Sequence, residues 1–259
     1  MNRIKKTFEQ LNKDNKKALG IFVTAGDPDF ETSLKLVSNL PDSGVDFIEI
    51  GMPFSDPMAD GPSIQLSSQR ALKSGMNLNK CLSLVKFFRE RNSHTPIILM
   101  GYYNPIYKFG KEKFIKNCVE LSVDALIIVD LPPEEDNEFY IEAEKNKLSM
   151  IRLVTPTTDE KRLKRILYNA TGFVYYVSIT GITGTQTPDI QSVQDNIKKI
   201  KRVTNLPIVI GFGIRSSTQA AIMSNTCDGI VIGSAVVDLI KKTLDNDDNL
   251  NEKDLTSCL

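Results

Sequence analysis

Short apolar runs recur along the chain, each followed by Gly or Pro and then by a segment with helical spacing of apolar residues. Eight such runs are present, at 18–26, 46–53, 96–104, 125–132, 149–156, 173–180, 207–214 and 229–236. Most are apolar at successive positions, which is typical of strands covered on both faces. Between them lie amphipathic stripes, for example Leu78, Cys81, Leu82, Val85 and Phe88.

This alternation of strand and helix predicts a parallel sheet covered by helices. Eight strands in 259 residues match a closed (β/α)8 TIM barrel better than an open doubly wound sheet. We expect one barrel domain over residues 1–245, with an extra helix near residues 4–11 and extra helical segments at 62–74 and 77–91, between strands two and three. The polar, acidic stretch 246–259 is expected to fray.

The composition of the chain excludes several classes of function. The 32 basic residues balance 32 acidic ones, without the basic excess of a nucleic-acid or membrane-surface binder. The start of the chain lacks the apolar core of a signal peptide, and no run of eighteen apolar residues could span a bilayer, so we expect a soluble cytoplasmic protein. The four cysteines form no C-x-x-C pair, and the nucleotide-binding glycine motifs are absent.

The only histidine, His94, excludes a multi-histidine metal site and precedes the third strand, at the end of the barrel away from the active face. Acid–base chemistry is therefore expected from other side chains.

Glu49 lies within the apolar run FIEIG, where an unpaired carboxylate is costly. If Ile48 and Ile50 face the helices, the two-residue period places Glu49 inside the barrel, where partial desolvation raises the pKa of a carboxyl group.

The alternative for Glu49 is a structural ion pair inside the barrel, but no Lys or Arg ends the adjacent strands, which favours a catalytic role. Asp56 and Asp60 follow on a proline-rich loop, where aspartates are commonly turn formers. Asp130 ends the fourth strand and lies at the active rim. The alternative role for Asp130 is to cap the helix that follows the strand.

Glycines after strands six, seven and eight (181–184, 211–214 and 232–235) predict a site for a phosphate-bearing substrate.

The segment FIEIGMPFSDPMADGP closely resembles the alpha-subunit family of tryptophan synthase, and the likeness runs from about residue 1 to residue 245. Further matching stretches are FVTAGDP (22–28), DGPSIQ (60–65), MGYYNP (100–105), GITG (181–184), GFGI (211–214) and GSA (233–235). The pattern PFSDPxADGP is specific to that family among phosphate-binding barrels. The resemblance implies a lyase of L-tryptophan biosynthesis that cleaves indole-3-glycerol phosphate to indole and glyceraldehyde 3-phosphate.

The resemblance also implies the site. Glu49 corresponds to the catalytic acid and base, Asp60 to its partner at the indole nitrogen, and Thr183 to a residue that orients Asp60. The matching indole-pocket and phosphate residues are Phe22, Met100, Ile127, Val129, Leu153, Tyr175, Phe212, Gly184, Gly213, Gly233 and Ser234. By pattern alone, most of the apolar ones are barrel core. Ile179 and Thr180 depart from the Arg-Ser that some members carry there, which concerns loop closure and signalling to the partner.

The family works with a second polypeptide, a pyridoxal-phosphate enzyme that receives indole, so the resemblance implies an alpha2beta2 assembly with a beta subunit. Asp56, Asn104 and Pro105 match the partner-facing surface. No cofactor or metal is expected in this chain. Two other interpretations stay open: a free-standing lyase that releases indole, and a catalytically silent phosphate-binding barrel that regulates a partner. The presence of both Glu49 and Asp60 disfavours the second.

Overall fold

The strands form one parallel sheet. The structure is a computed structural model that describes residues 2–178, 190–211, 213–214 and 216–245. Its strands are Ala18–Thr24 (β1), Phe47–Gly51 (β2), Ile97–Gly101 (β3), Ala125–Ile128 (β4), Ser149–Met150 (β5), Arg152–Val154 (β6), Val174–Val177 (β7), Ile208–Gly211 (β8) and Gly229–Ile232 (β9). Their order across the sheet is β5-β4-β3-β2-β1-β9-β8-β7-β6.

The two ends of that order belong to one stretch of chain, residues 149–154. β5 pairs with β4, and β6 pairs with β7, with only Ile151 between the two short strands. The Ile151 amide donates to the Leu126 carbonyl at 3.0 Å, so the ladder to β4 continues across the interruption. β5 and β6 are therefore two parts of the fifth barrel strand, and the predicted (β/α)8 barrel is confirmed.

Helices connect successive strands and cover the outside of the barrel. They are Arg3–Lys13 (α1), Phe30–Asn39 (α2), Pro62–Lys73 (α3), Leu78–Arg91 (α4), Tyr103–Phe109 (α5), Lys111–Glu120 (α6), Asn137–Lys145 (α7), Glu160–Tyr168 (α8), Ile190–Lys201 (α9), Ser217–Ser224 (α10) and Ser234–Asp245 (α11), with a short 3-10 helix at Pro41–Ser43. The expected N-terminal helix is α1, and the expected additions between the second and third strands are α3 and α4. No described helix is long and apolar enough to cross a membrane.

Side chains alternate between two apolar layers, as the two-residue period requires. Ile48 and Ile50 of β2 pack with the helices in the largest outer cluster. Phe47, from the same strand, packs inside the barrel with Ile98 and Val209 of other strands. The sequence-based assignment of the two faces of β2 is therefore correct.

The amino-terminal end of the barrel is closed by α1. The ring of Phe8 lies 5.8 Å from that of Phe173 and 6.3 Å from that of Phe47, measured between centroids. Asp124 binds Arg3 of α1 at 3.0 Å and also accepts a hydrogen bond from the Ile97 amide at 2.8 Å. These contacts stabilise the end of the barrel opposite the usual active face.

The local cap of α8 differs from the sequence pattern. The segment TTDE (157–160) has the form of a capping box that begins at Thr157, but the N-cap is Asp159, whose side chain accepts from the Arg162 amide at 2.7 Å. Thr158 instead accepts from the Thr155 amide at 3.1 Å, in the preceding turn. Two side chains in this segment can cap, and the turn after β6 decides which of them meets the helix.

Candidate active site

Glu49 lies in the middle of β2, with its side chain inside the barrel. Across the sheet its backbone is level with Phe22 of β1 and Ile98 of β3, both members of the interior cluster. The residue is 0% exposed. A carboxyl group is therefore enclosed by apolar walls inside the barrel.

That environment favours the neutral acid. Both carboxylate oxygens of Glu49 are buried. Burial raises the pKa of Glu49 from its ordinary value of 4.5 to about 8, although the nearby phenol of Tyr175 partly opposes the rise. No ion pair found in the described part of the chain includes Glu49, so the structural ion pair considered above is not formed there.

Asp60 lies on the loop between β2 and α3, which follows the carboxyl end of β2. Its amide donates to the Pro57 carbonyl at 3.0 Å, and its carbonyl accepts from the Gln65 side chain at 2.8 Å. Burial raises the pKa of Asp60 to about 6, and a hydrogen bond from the phenol of Tyr102 partly opposes this rise. Asp60 is thus more than a turn former, because its carboxyl group is held in a partly desolvated site.

Tyr175 of β7 interacts electrostatically with both acids, Glu49 and Asp60. Its phenol has a pKa raised well above the ordinary value, by burial first, and also by the charges of Glu49 and Asp60. Because one hydroxyl group is influenced by both carboxyl groups, Glu49 and Asp60 both lie near Tyr175. The structure therefore brings together two acids that are eleven positions apart in the sequence and belong to a strand and a loop.

The predicted apolar wall assembles inside the barrel. All six of the expected indole-pocket residues that the structure describes belong to, or pack against, one interior cluster. They are Phe22, Met100, Ile127, Val129, Leu153 and Tyr175. Ile64, in the first turn of α3, packs against the same cluster and was missed by sequence reasoning. Its helix was predicted, but the helical period alone does not show that Ile64 packs against the barrel interior.

The expected phosphate end lies across the mouth, after β8 and β9, the seventh and eighth barrel strands. Gly213 has a φ of 80°, a left-handed conformation that favours glycine. Gly233 precedes α11, and Ser234 is its first residue, so amide groups at the start of a twelve-residue helix face this end of the barrel. A Cβ at Gly233 would lie 3.2 Å from the Cβ of Phe22, so a larger residue would crowd the apolar wall.

Three expected site residues lie outside the described residues: Thr183, Gly184 and Phe212. The same holds for Ile179 and Thr180, for the whole segment 179–189, and for the expected tail 246–259. Their roles stay predictions.

The residues expected to face a partner lie on the outside of this same end. Asp56 and Asn104 are exposed, and Pro105 is half-buried in α5. Two large apolar side chains are exposed on the same loop and helix, Met58 at 74% and Tyr107 at 66%. Large exposed apolar side chains are common at protein-binding surfaces.

Two residues at strand ends behave differently from expectation. Asp130 does not cap α7; its carboxylate accepts from the Tyr103 amide at 2.7 Å, at the start of α5. That short helix was not predicted, because its residues continue the third apolar run. Tyr102 was also missed. By the two-residue period it shares the interior face with Met100, which is the signal that could have identified it.

A second cavity, of about 560 Å³, lies at the opposite end of the barrel, beside α1 and the loop before β8. Four lysines and two acids line it, and two ion pairs form among them: Lys201 with Asp228 at 3.2 Å and Lys5 with Glu9 at 3.7 Å. These are solvated pairs far from the carboxyl ends of the strands, so this cavity is not the candidate active site. No group of three metal-ligating side chains occurs in the described ranges.

Comparisons with known proteins agree with this geometry. A sequence model of the family described as Tryptophan synthase alpha chain matches residues 8–258. Tryptophan synthase subunit alpha from Legionella pneumophila str. Paris is 36% identical, with a TM-score of 0.90 over 100% of this chain and 94% of that chain. The subunit alpha from Campylobacter jejuni is 31% identical, with a TM-score of 0.82 over 93% of this chain and 94% of that chain.

The chain is also similar to tryptophan synthase from M. tuberculosis in its aminoacrylate-bound form. That structure is 28% identical, with a TM-score of 0.88 over 100% of this chain and 96% of that chain. The agreement thus extends over the whole barrel, including the ends of the strands that carry the site.

Proposed function

The chain belongs to the tryptophan synthase alpha chain family, and we propose that Glu49 and Asp60 are the residues with which it carries out that family's lyase reaction. The reaction cleaves indole-3-glycerol phosphate to indole and glyceraldehyde 3-phosphate, in the biosynthesis of L-tryptophan. One observation carries the proposal for the residues: two acids with raised pKa values both lie near Tyr175, a member of the apolar interior cluster.

The cleavage needs a proton at carbon three of the indole ring and a base for the glycerol hydroxyl group that becomes the aldehyde. With a pKa of about 8, Glu49 is mostly protonated at neutral pH and can donate the first proton. The carboxylate that results can accept the hydroxyl proton while the carbon–carbon bond breaks and its electrons return to the indole ring. Glu49 is thereby restored to the acid form.

Protonation of carbon three places a positive charge on the ring nitrogen. With a pKa of about 6, Asp60 is mostly ionised at neutral pH and can accept a hydrogen bond from the indole N–H. A carboxylate held in a partly desolvated site stabilises such a charge more strongly than one in water. The reaction therefore needs Glu49 protonated and Asp60 ionised, and the two environments set the pKa values in that order.

We assign the indole ring and the phosphate of the substrate to the other residues that line the site. The apolar cluster supplies a surface for the indole ring, and the amide groups near Gly213, Gly233 and Ser234 suit the phosphate. Thr183, Gly184 and Phe212 are assigned to the same site by resemblance alone. We assign residues 1–245 to one barrel domain on the same basis.

We further propose that the partner is a beta subunit that carries pyridoxal phosphate, in an alpha2beta2 assembly in the cytoplasm. Members of the family typically need no cofactor of their own, and we infer none for this chain. The exposed patch formed by Asp56, Met58, Asn104, Pro105 and Tyr107 is the surface we assign to the partner. Asp56 and Met58 lie on the same loop as Asp60, so binding there can influence the site directly.

The first test is indole release from indole-3-glycerol phosphate by the purified chain, with and without a pyridoxal-phosphate beta subunit. We expect slow cleavage alone and faster cleavage with the partner, with kcat/KM highest between about pH 6 and pH 8 because Asp60 must be ionised and Glu49 protonated. Full activity without a partner would instead support the free-standing lyase. No cleavage under either condition would support the silent regulatory barrel.

Asp60→Asn is expected to lower kcat by about 10²- to 10³-fold, because the amide keeps the shape of the side chain but loses the charge that stabilises the ring nitrogen. The measurement is steady-state indole release at pH 7.5. Asp42→Asn, on the exposed 3-10 helix, is the matched control and should be as active as the wild type. Equal activity of Asp60→Asn and the wild type would remove Asp60 from the mechanism.

A further inference from the structure

We infer that Tyr102 is a positioning residue whose hydroxyl group holds the Asp60 carboxylate at the barrel mouth. The inference rests on the proposed role of Asp60. Tyr102 directly follows β3 and is 3% exposed, so its side chain is fixed within the protein. Its ring packs against that of Phe54, with 5.4 Å between centroids. Phe54 belongs to the same loop as Asp60, which places the phenol between the barrel strand and the loop.

The hydroxyl group of Tyr102 is tied to this loop by the backbone. It accepts a hydrogen bond from the Ala59 amide at 3.0 Å, immediately before Asp60. A phenol has one donor and two acceptor positions, so this bond leaves the proton free to be donated. The Asp60 carboxylate is a nearby acceptor for that proton, and the Tyr102 phenol acts to lower the pKa of Asp60 against the larger effect of burial.

The phenol therefore does two things with one atom. As an acceptor it fixes the backbone next to Asp60, and as a donor it favours the ionised form of the carboxylate. The other titratable groups that face this cluster are Tyr175, whose phenol is influenced by Asp60, and Asp130, whose charge acts on Tyr102. Glu49 reaches the cluster through Tyr175. Among these described neighbours, Tyr102 is the group that stabilises negative charge on Asp60.

The test is the pH dependence of kcat/KM in Tyr102→Phe. This variant keeps the ring that packs on Phe54 and removes only the hydroxyl group. We expect the acidic limb, near pH 6 in the wild type, to move upward by about one to two pH units, as the loss of a hydrogen bond to a charged group implies. Tyr140→Phe is the matched control: its hydroxyl donates to Glu144 at 2.7 Å on α7, away from the site, and its limb should not move.

A second replacement guards against misfolding. Placing 3-fluorotyrosine at position 102 keeps the hydroxyl group and makes it a stronger donor, so the acidic limb should move to lower pH. A purely structural role predicts no shift in either direction. An unchanged limb in both replacements overturns the inference.

The double variant Tyr102→Phe with Asp60→Asn separates this inference from the proposed function. If Tyr102 acts through Asp60, removing its hydroxyl group should cause no further loss once Asp60 is Asn. Additive losses overturn the inference while leaving the role of Asp60 in place. If Asp60→Asn itself is fully active, the proposed function of Asp60 fails before the role of Tyr102 is considered.

Discussion

Glu49→Gln is expected to abolish cleavage of indole-3-glycerol phosphate, with a loss of at least about 10³-fold in kcat, because Gln can neither donate nor accept the transferred proton. The amide is nearly the same size as the carboxyl group, so the apolar wall around it stays filled. The measurement is indole release in the presence of the beta subunit. Glu120→Gln, an exposed residue on α6 that lies 3.9 Å from Lys116, is the control and should be fully active.

Relative to the wild type, Glu49→Gln should become more stable as the pH rises into the alkaline range. The pKa of Glu49 is raised from 4.5 to about 8 in the folded protein. The folded state therefore binds an extra proton between these values, and this contribution to stability is present below pH 4.5 and is lost as pH rises through about 8. Gln carries no such dependence.

We accordingly expect the difference in free energy of unfolding, variant minus wild type, to grow by about 3 to 5 kcal/mol between about pH 5 and pH 9. Urea denaturation across this range measures it. A constant difference across the range would mean that Glu49 is ionised at its ordinary pKa in the folded protein. Retained catalysis in Glu49→Gln would instead contradict the proposed mechanism.

Arg152→Met is expected to lower the free energy of unfolding by about 3 to 5 kcal/mol, since it leaves a buried carboxylate without its partner. Arg152 of β6 forms an ion pair with Asp136, before α7, and their side chains are 6% and 1% exposed. Burial already raises the pKa of Asp136, and Arg152 opposes that rise. Without Arg152, the pKa of Asp136 should rise further.

The sign of the pH effect distinguishes this cause from simple loss of packing. With the folded pKa of Asp136 raised, its contribution to stability is present at low pH and is lost as pH increases, so Arg152→Met should recover part of its stability in acid. Lys164→Met, which removes a solvated pair with Glu160 at 3.0 Å, should cost no more than about 1 kcal/mol. Equal losses in the two variants would contradict the importance of burial.

The sequence by itself determined the barrel and the inward position of Glu49. Both depend on local periodicity, because successive side chains of a strand face opposite sides and each apolar run predicts one strand. It also located the glycines at the late strand ends, and with them Gly213, Gly233 and Ser234. The family resemblance then supplied Asp60, whose proline-rich loop alone indicated only a turn.

Only the tertiary structure decided which groups act on one another across separate elements. The hydroxyl of Tyr102 meets the loop at Ala59, 43 positions away in the sequence, and Arg152 forms an ion pair with Asp136, the residue before α7. The interruption of the fifth strand at Ile151 and the binding of Asp130 to α5 belong to the same class. Such contacts depend on strand tilt, helix orientation and loop course, which local patterns do not contain. The burial of Glu49 and Asp60, which raises their pKa values, depends on the same tertiary arrangement.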